Sequence, residues 1–372
     1  MNVIFTCGGT AGHVNPALAL AGYMCRLDGK TRVLFVGTPG GIEKELVAKA
    51  GYEFRGVEVS GFARSISPSG IAHNLKTVKN LLTAPAKVKA IIRDFKPDLV
   101  VGTGGYASFP MVKEAAAQGI PTAVHESNMV PGLTTKMLEK FADRIMVGFE
   151  ECRALYSNPE KIVVTGTPVR GDFFDLDREE ARAQLGLTDD RPLLVSFWGS
   201  LGASTMNAMM LDFFARETAE GQPFHHIHAV GSYGWQKMQT ELESRQLTDR
   251  PGLDVREYIH DMATVMAAAD LVLCRGGAST VSELTALGKP AVMVPSPYVT
   301  NNHQEKNCRI LERHGGAVVL LEPELTGDVL YETARDILAD PARRAVMSEG
   351  MAKLGIRDAT ERLYDTVMEI CK

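Results

Sequence analysis

A chain of 372 residues exceeds what one hydrophobic core usually organises, so two domains of ordinary size are expected. With 45% hydrophobic and 23% charged residues and a formal net charge of -5, the composition excludes a disordered chain and gives no reason to expect a nucleic-acid partner. Cys7, Cys25, Cys152, Cys274, Cys308 and Cys371 form no C-x-x-C pair and no zinc-finger spacing, which argues for a reducing compartment and against a structural metal.

The chain opens Met1-Asn2-Val3-Ile4-Phe5-Thr6 without the basic start and apolar stretch of a signal peptide. No apolar run approaches the roughly 18 to 20 residues that span a bilayer, so any membrane contact is expected to be peripheral. Short apolar runs alternate with segments of helical period, the pattern of an α/β protein with parallel sheets. Strands are predicted at 3–6, 32–36, 98–101, 122–124 and 144–147, then at 193–197, 227–230, 255–258, 271–274 and 291–294. Between the two sets, the stretch 161–170 reads as a strand and a Gly/Pro turn, with the domain hinge placed at 166–168.

Four times, twice in each half, a strand runs into a glycine loop and then a helix. In parallel sheets ligands bind beyond the carboxyl ends of the strands, so these loops are expected to open on one interdomain cleft. The first is Cys7-Gly8-Gly9-Thr10-Ala11-Gly12-His13, with Asn15-Pro16 read as opening the helix. A dinucleotide site would want glycine where Cys7 stands and an acid after Val36-Gly37-Thr38, and has neither. The second loop is Gly102-Thr103-Gly104-Gly105-Tyr106, and the next strand delivers His125-Glu126-Ser127-Asn128. His13, His125 and Glu126 are candidate acceptors of a substrate proton, because histidine titrates near neutrality and a carboxylate orients it. A hydrogen-bonded scaffold is the alternative for His125 and Glu126.

From Arg64 to Arg93 the chain carries six basic residues (Arg64, Lys76, Lys79, Lys87, Lys89, Arg93) and no acid. Leu75, Val78, Leu82, Val88, Ile91 and Ile92 recur at helical spacing. Basic amphipathic helices of this kind rest on anionic headgroups or simply cover a core.

In the second half, Gly199-Ser200-Leu201-Gly202-Ala203 is the third loop, followed by a helix containing Asn207. The fourth, Cys274-Arg275-Gly276-Gly277-Ala278-Ser279-Thr280-Val281-Ser282-Glu283, joins a buried strand to a helix whose first turn is small and hydroxylated. Unpaired N–H groups at such a helix start suit a diphosphate, and Glu283 in the next turn suits a pair of ribose hydroxyls. Ile259 has a backbone free to meet a base edge, and Asn301-Asn302-His303-Gln304 offers amides to sugar hydroxyls. Asp175-Leu176-Asp177 formally fits a metal-binding D-x-D, but Asp177 stands where a helix N-cap belongs.

Taken together, GGTAGHVNPALALA, GTGGY with HESN, GTPVR, GSLGA, GGASTVSELTALGKPAVMVP and NNHQ resemble the MurG family of glycosyltransferases over nearly the whole chain. The resemblance implies a GT-B fold, two Rossmann-like parallel-sheet domains facing an interdomain cleft. Residues 1–166 would form the acceptor and membrane side, 167–345 the UDP-GlcNAc-binding domain, and 346–372 a helix packing back on the N-terminal domain. It implies inverting transfer of GlcNAc from UDP-GlcNAc to the MurNAc 4-hydroxyl of undecaprenyl-diphosphoryl-MurNAc-pentapeptide (lipid I), at the cytoplasmic face of the cell membrane. Neither a metal nor another cofactor is implied. By motif, Thr10, Ala11, Gly12, Asn128, Arg170, Ser200, Ile259, Ala278, Ser279, Thr280, Val281, Ser282, Glu283 and Gln304 would contact the donor. His13, Tyr106, His125 and Glu126 would face the acceptor. The chain departs from the family where Ala11 and Trp198 replace glycines, and Ala11 would be strained if its φ were positive.

Overall fold

Every strand pair among the described residues is parallel, so the strands can be buried on both faces and read as unbroken Val, Ile, Leu and Phe runs. The computed structural model describes residues 1–59 and 67–372. From the N-terminus come β1 (Asn2–Thr6), α1 (Ala11–Leu27), β2 (Arg32–Gly37), α2 (Ile42–Lys49), β3 (Glu53–Gly56), α3 (Pro68–Phe95) and β4 (Leu99–Gly102). Then follow α4 (Ser108–Ala117), β5 (Thr122–Glu126), α5 (Leu133–Leu138), β6 (Arg144–Val147) and β7 (Ile162–Val164). The second set is α6 (Arg178–Gln184), β8 (Leu193–Phe197), α7 (Ser204–Ala219), β9 (His225–Ala229), α8 (Trp235–Ser244), β10 (Leu253–Arg256) and α9 (Met262–Ala268). It continues with β11 (Leu271–Cys274), α10 (Ala278–Leu287), β12 (Ala291–Met293), α11 (His303–Arg313) and β13 (Ala317–Val319), and closes with α12 (Gly327–Leu338), α13 (Pro341–Ala352) and α14 (Ala359–Glu369).

Among the described residues the strands form one sheet in the order β3-β2-β1-β4-β5-β6-β7 and another in the order β10-β9-β8-β11-β12-β13. The chain divides into two compact units, Met1–Pro168 with Ile356–Lys372, and Val169–Gly355. In each sheet the direction of winding reverses at one place, between β1 and β4 and between β8 and β11. All four glycine loops follow these strands, which is where parallel sheets leave a crevice for ligands.

In the first unit Val3, Phe5, Phe35, Leu99 and Val101 form a core against α1, with the Phe5 and Phe35 rings stacked at 5.4 Å. Leu363 and Val367 of α14 are buried in the same core, and Tyr364 packs edge-on against Tyr23 of α1 at 5.4 Å. A boundary at 345 would cut α13, which packs on α10, so the chain leaves the second unit only at Gly355.

The structure changes two of the sequence expectations and, for half of the basic stretch, matches one of the two readings. β3 and β13 were not predicted, because each is a short edge strand, one largely polar and the other three residues long. Helix α1 starts at Ala11, so Pro16 lies inside it and not at its opening. In the basic stretch, Val88 and Ile92 of α3 are buried against the core, while Lys87, Lys89 and Arg93 are exposed, so this half of the helix is a core-covering surface helix. Arg64 and the side chains of Leu75, Lys76, Val78, Lys79 and Leu82 lie outside the described residues.

Candidate functional site

Thr6 of β1 pairs with Gly102 of β4, and Gly102 with Val124 of β5, so the first two glycine loops and the end of β5 emerge side by side. Gly9 turns the first loop with φ +91°, and Ala11 enters α1 with an ordinary helical backbone, so the alanine carries no strain. Thr10 is the N-cap of α1 but its side chain makes no capping bond, leaving the N–H groups of Ala11 and Gly12 without intrahelical partners.

His13 is held from several sides. Its Nδ1 lies 2.7 Å from the Gly8 carbonyl oxygen, which can only accept, so Nδ1 carries the proton and Nε2 presents its lone pair. The Thr103 hydroxyl donates to the His13 carbonyl at 2.6 Å, and a Cβ on Gly104 would stand 2.6 Å from the imidazole Cδ2. Ser108 adds a hidden brace, its hydroxyl 2.8 Å from both the Thr6 and the Gly104 carbonyls, which share its one proton. Tyr106 is exposed beside them.

His125 and Glu126 are placed differently from His13. His125 is buried, with Nε2 3.1 Å from the Gly166 carbonyl and Nδ1 3.4 Å from the Ser127 hydroxyl, and burial lowers its pKa against the opposing pull of Gly166 and Glu126. The Glu126 carboxylate accepts from the Asn128 N–H and side-chain amide at 3.1 Å each, from the Gly132 N–H at 2.9 Å and from the Thr135 hydroxyl at 2.8 Å. Backbone and side-chain donors thus engage both oxygens of Glu126 at the start of α5, and His125 has a partner near each ring nitrogen. Asn128 is tied to Glu126 through the same amide.

In the second unit Phe197 of β8 pairs with Cys274 of β11, so the third and fourth loops begin next to each other. Ser200 is exposed in the third loop. Gly277 caps α10 without a side chain, and the N–H groups of Ala278, Ser279 and Thr280 have no partner within the helix. Val281 and Ser282 are buried behind that first turn, Val281 through its backbone and Ser282 through a hydroxyl that donates to the Ala278 carbonyl at 3.0 Å. A Cβ on Gly276 would come within 2.5 Å of the Gln304 carbonyl, so this glycine allows α11 to close against the loop, where Asn307 donates to the Gly276 carbonyl at 3.0 Å. Gln304 accepts the Ser296 N–H at 2.8 Å through Oε1, which leaves its Nε2 as the group to offer a ligand. Ile259 is buried, past the end of β10 on the same side of the sheet.

Burial pushes the Glu283 carboxyl up to about 7, with Arg170 pulling it down and Asp172 pushing it further up. Arg170 is therefore within electrostatic reach of Glu283, and its guanidinium lies over the Phe173 ring at 5.1 Å. Trp198 takes a buried place in the core with the Arg275 guanidinium 5.9 Å from its ring centre. Arg275 in turn pairs with Glu322 at 2.6 Å and donates to the Val294 carbonyl at 3.0 Å, which anchors the fourth loop from below. Asp177 caps α6, accepting the Glu180 N–H at 2.9 Å, and among the described residues no three His, Cys, Asp or Glu side chains are grouped to hold a metal.

Thr103, Ser108 and Asn307 were not singled out from the sequence. Thr103 follows Gly102 directly, Ser108 opens α4 and Asn307 lies within α11, and the His13, Thr6 and Gly276 carbonyls they bind are distant in the chain.

The glycosyltransferase family 28 N-terminal domain matches residues 3–147 and the glycosyltransferase family 28 C-terminal domain matches residues 193–363. The chain is 43% identical over 372 residues, 100% of its own length and 99% of the relative's, to the UDP-N-acetylglucosamine–N-acetylmuramyl-(pentapeptide) pyrophosphoryl-undecaprenol N-acetylglucosamine transferase of Acetivibrio thermocellus. Among solved structures, MurG of Acinetobacter baumannii superposes with a TM-score of 0.76 at 26% identity, with 99% of each chain covered. A UDP-GlcNAc 2-epimerase from Neisseria meningitidis, solved with UDP-GlcNAc bound, shares the fold at a TM-score of 0.65 and 13% identity, covering 99% of this chain and 100% of that one. The architecture is thus GT-B, and with both family domains present and identity running from end to end, the chain belongs to the MurG family within glycosyltransferase family 28.

Proposed function

We propose that the protein transfers GlcNAc from UDP-GlcNAc to the 4-hydroxyl of MurNAc in lipid I, forming lipid II for peptidoglycan. The observation that carries the donor half is the start of α10, where open N–H groups of Ala278, Ser279 and Thr280 stand one turn from a half-buried Glu283. That spacing suits a nucleoside diphosphate, with the diphosphate on the helix end and the ribose hydroxyls on the carboxylate. Arg170, Ser200, Ile259, Val281, Ser282 and Gln304 complete the donor set on this unit, and Thr10, Ala11, Gly12 and Asn128 are the donor contacts assigned to the other.

The reaction is a single displacement. The acceptor hydroxyl oxygen bonds to the anomeric carbon, the bond from that carbon to the diphosphate oxygen breaks, UDP leaves with the electron pair, and the hydroxyl proton passes to His13 Nε2. Each helix-end interaction is worth about 0.3 to 2 kcal/mol, so several N–H donors must act together on the charge that develops on the diphosphate.

The membrane side is assigned to α4 and α5. Leu133 and Met137 form an exposed stripe on α5, Phe141 just past its end meets Phe109 at 6.4 Å, and the Lys113 ammonium lies within 5.7 Å of both rings. Lys136 and Lys140 are exposed beside the stripe, so the patch joins apolar side chains to cations as anionic membrane surfaces require. No described helix is long and apolar enough to cross a membrane.

The test is turnover of labelled UDP-GlcNAc with a lipid I analogue, followed by UDP release and disaccharide formation. Equal amounts of UDP and β-1,4-linked product are expected. Epimerised sugar nucleotide formed without acceptor, or no disaccharide, would overturn the assignment.

A further inference from the structure

Glu43 is a wholly buried carboxylate on the first turn of α2, far from any role read in the sequence. Its hydrogen bonds go to backbone, one oxygen accepting the Thr38 N–H at 2.7 Å and the other the Gly9 N–H at 3.3 Å. Burying a carboxylate is expensive, and the fold concedes further space to this one. A Cβ at Gly8 would lie 2.7 Å, and one at Gly37 2.6 Å, from Glu43 atoms, and a Cβ at Gly41 would collide with its carboxylate.

The group so bought is a single peptide unit. The N–H of Gly9 and the C=O of Gly8 belong to one planar amide, the N–H donating to Glu43 and the C=O accepting from His13 Nδ1 at 2.7 Å. A carboxylate on one end of an amide polarises it and makes its oxygen a stronger acceptor at the other end. We propose that Glu43 is a positioning residue for His13, acting through the Gly8–Gly9 peptide to hold the Nδ1–H tautomer and to stabilise the imidazolium that forms as His13 takes the acceptor proton. The inference rests on the transfer reaction above, with His13 as its base. It is the arrangement of a carboxylate–histidine pair with a peptide bond inserted between the partners.

The full-length protein tests it with UDP-GlcNAc and a lipid I analogue. Glu43→Gln keeps the shape and removes the charge, so kcat should fall about ten-fold or more while KM for UDP-GlcNAc stays within about two-fold, and the acid limb of the kcat–pH profile should move to lower pH. In a His13→Ala background the same change should cost little further, because the two act as one unit. A kcat loss of equal size in both backgrounds, or an unmoved acid limb, would overturn the proposal in favour of a merely structural carboxylate. If Glu43→Gln fails to fold, ¹⁵N NMR of the wild-type histidines still decides: neutral His13 should carry its proton on Nδ1, and an Nε2–H tautomer would overturn the proposal. A wild-type protein inactive with lipid I would instead count against the transferase reading and leave the tautomer measurement standing.

Discussion

Protonation of Glu283 should make donor binding depend on pH. Its carboxyl titrates at about 7 because burial disfavours the charge. A ribose with two hydroxyl donors needs the carboxylate, so the ligand binds the ionised form and affinity rises as pH rises through 7. With that pKa, the fraction ready to bind is about one in eleven at pH 6, half at pH 7 and about ten in eleven at pH 8, a ten-fold affinity change worth ~1.4 kcal/mol. UDP-GlcNAc, whose diphosphate is esterified at both ends and does not titrate near neutrality, is the ligand to use. Calorimetry without acceptor should show Kd about ten-fold weaker at pH 6 than at pH 8, with about half a proton released on binding at pH 7. Glu283→Gln keeps one carbonyl acceptor and loses a charge-assisted bond, so it should bind ~1.5–3 kcal/mol more weakly at pH 8 and lose the slope. A flat wild-type profile between pH 6 and 8, or a slope that survives in Glu283→Gln, would refute the assignment of Glu283 to the ribose.

Replacing the base should act on chemistry. His13→Ala is expected to lower kcat by about 10²–10⁴ with UDP-GlcNAc affinity retained, read by steady-state kinetics beside calorimetry, and unchanged kcat would remove His13 as the proton acceptor. Leu133→Ser with Met137→Ser should cut binding to vesicles of anionic phospholipid at least several-fold while leaving UDP-GlcNAc affinity unchanged; undiminished co-sedimentation would move the membrane surface elsewhere. Deep in the second unit, Glu217 is fully buried 2.8 Å from His226 Nδ1, burial drives its carboxyl well up, and burial lowers His226 to about 3. The pair is thus neutral, a protonated carboxyl donating to the imidazole, so Glu217→Gln should shift unfolding free energy by less than about 1 kcal/mol, whereas a loss near the 3–5 kcal/mol of a broken buried ion pair would show that Glu217 is charged.

Much of the fold was legible because its signals are local. A buried parallel strand must be apolar on both faces, so 193–197 and 271–274 stand out as runs, and a glycine loop with a small-residue helix start after them has few other uses. Edge strand β3 lacks that signature, being half charged and incompletely buried, whereas β13 lies in the apolar run 317–321 but pairs over only three residues. The residue types His13, His125 and Glu126 mark a polar cluster in the sequence, yet their surroundings diverge through partners scattered along the chain. Gly8 leaves His13 Nε2 open, whereas Gly166 and Ser127 occupy His125, and Gly132 and Thr135 fill Glu126.

The amino-acid order alone determined the α/β class, the two parallel sheets, the four glycine loops at strand ends and the small-residue start of α10, because each depends on period, glycine and sequence spacing within about twenty residues. Only the tertiary structure decided which titratable side chains remain open and where Glu43 sits. Those outcomes depend on desolvation and on hydrogen-bond partners brought together from distant parts of the chain, and neither quantity is carried by any local stretch of sequence.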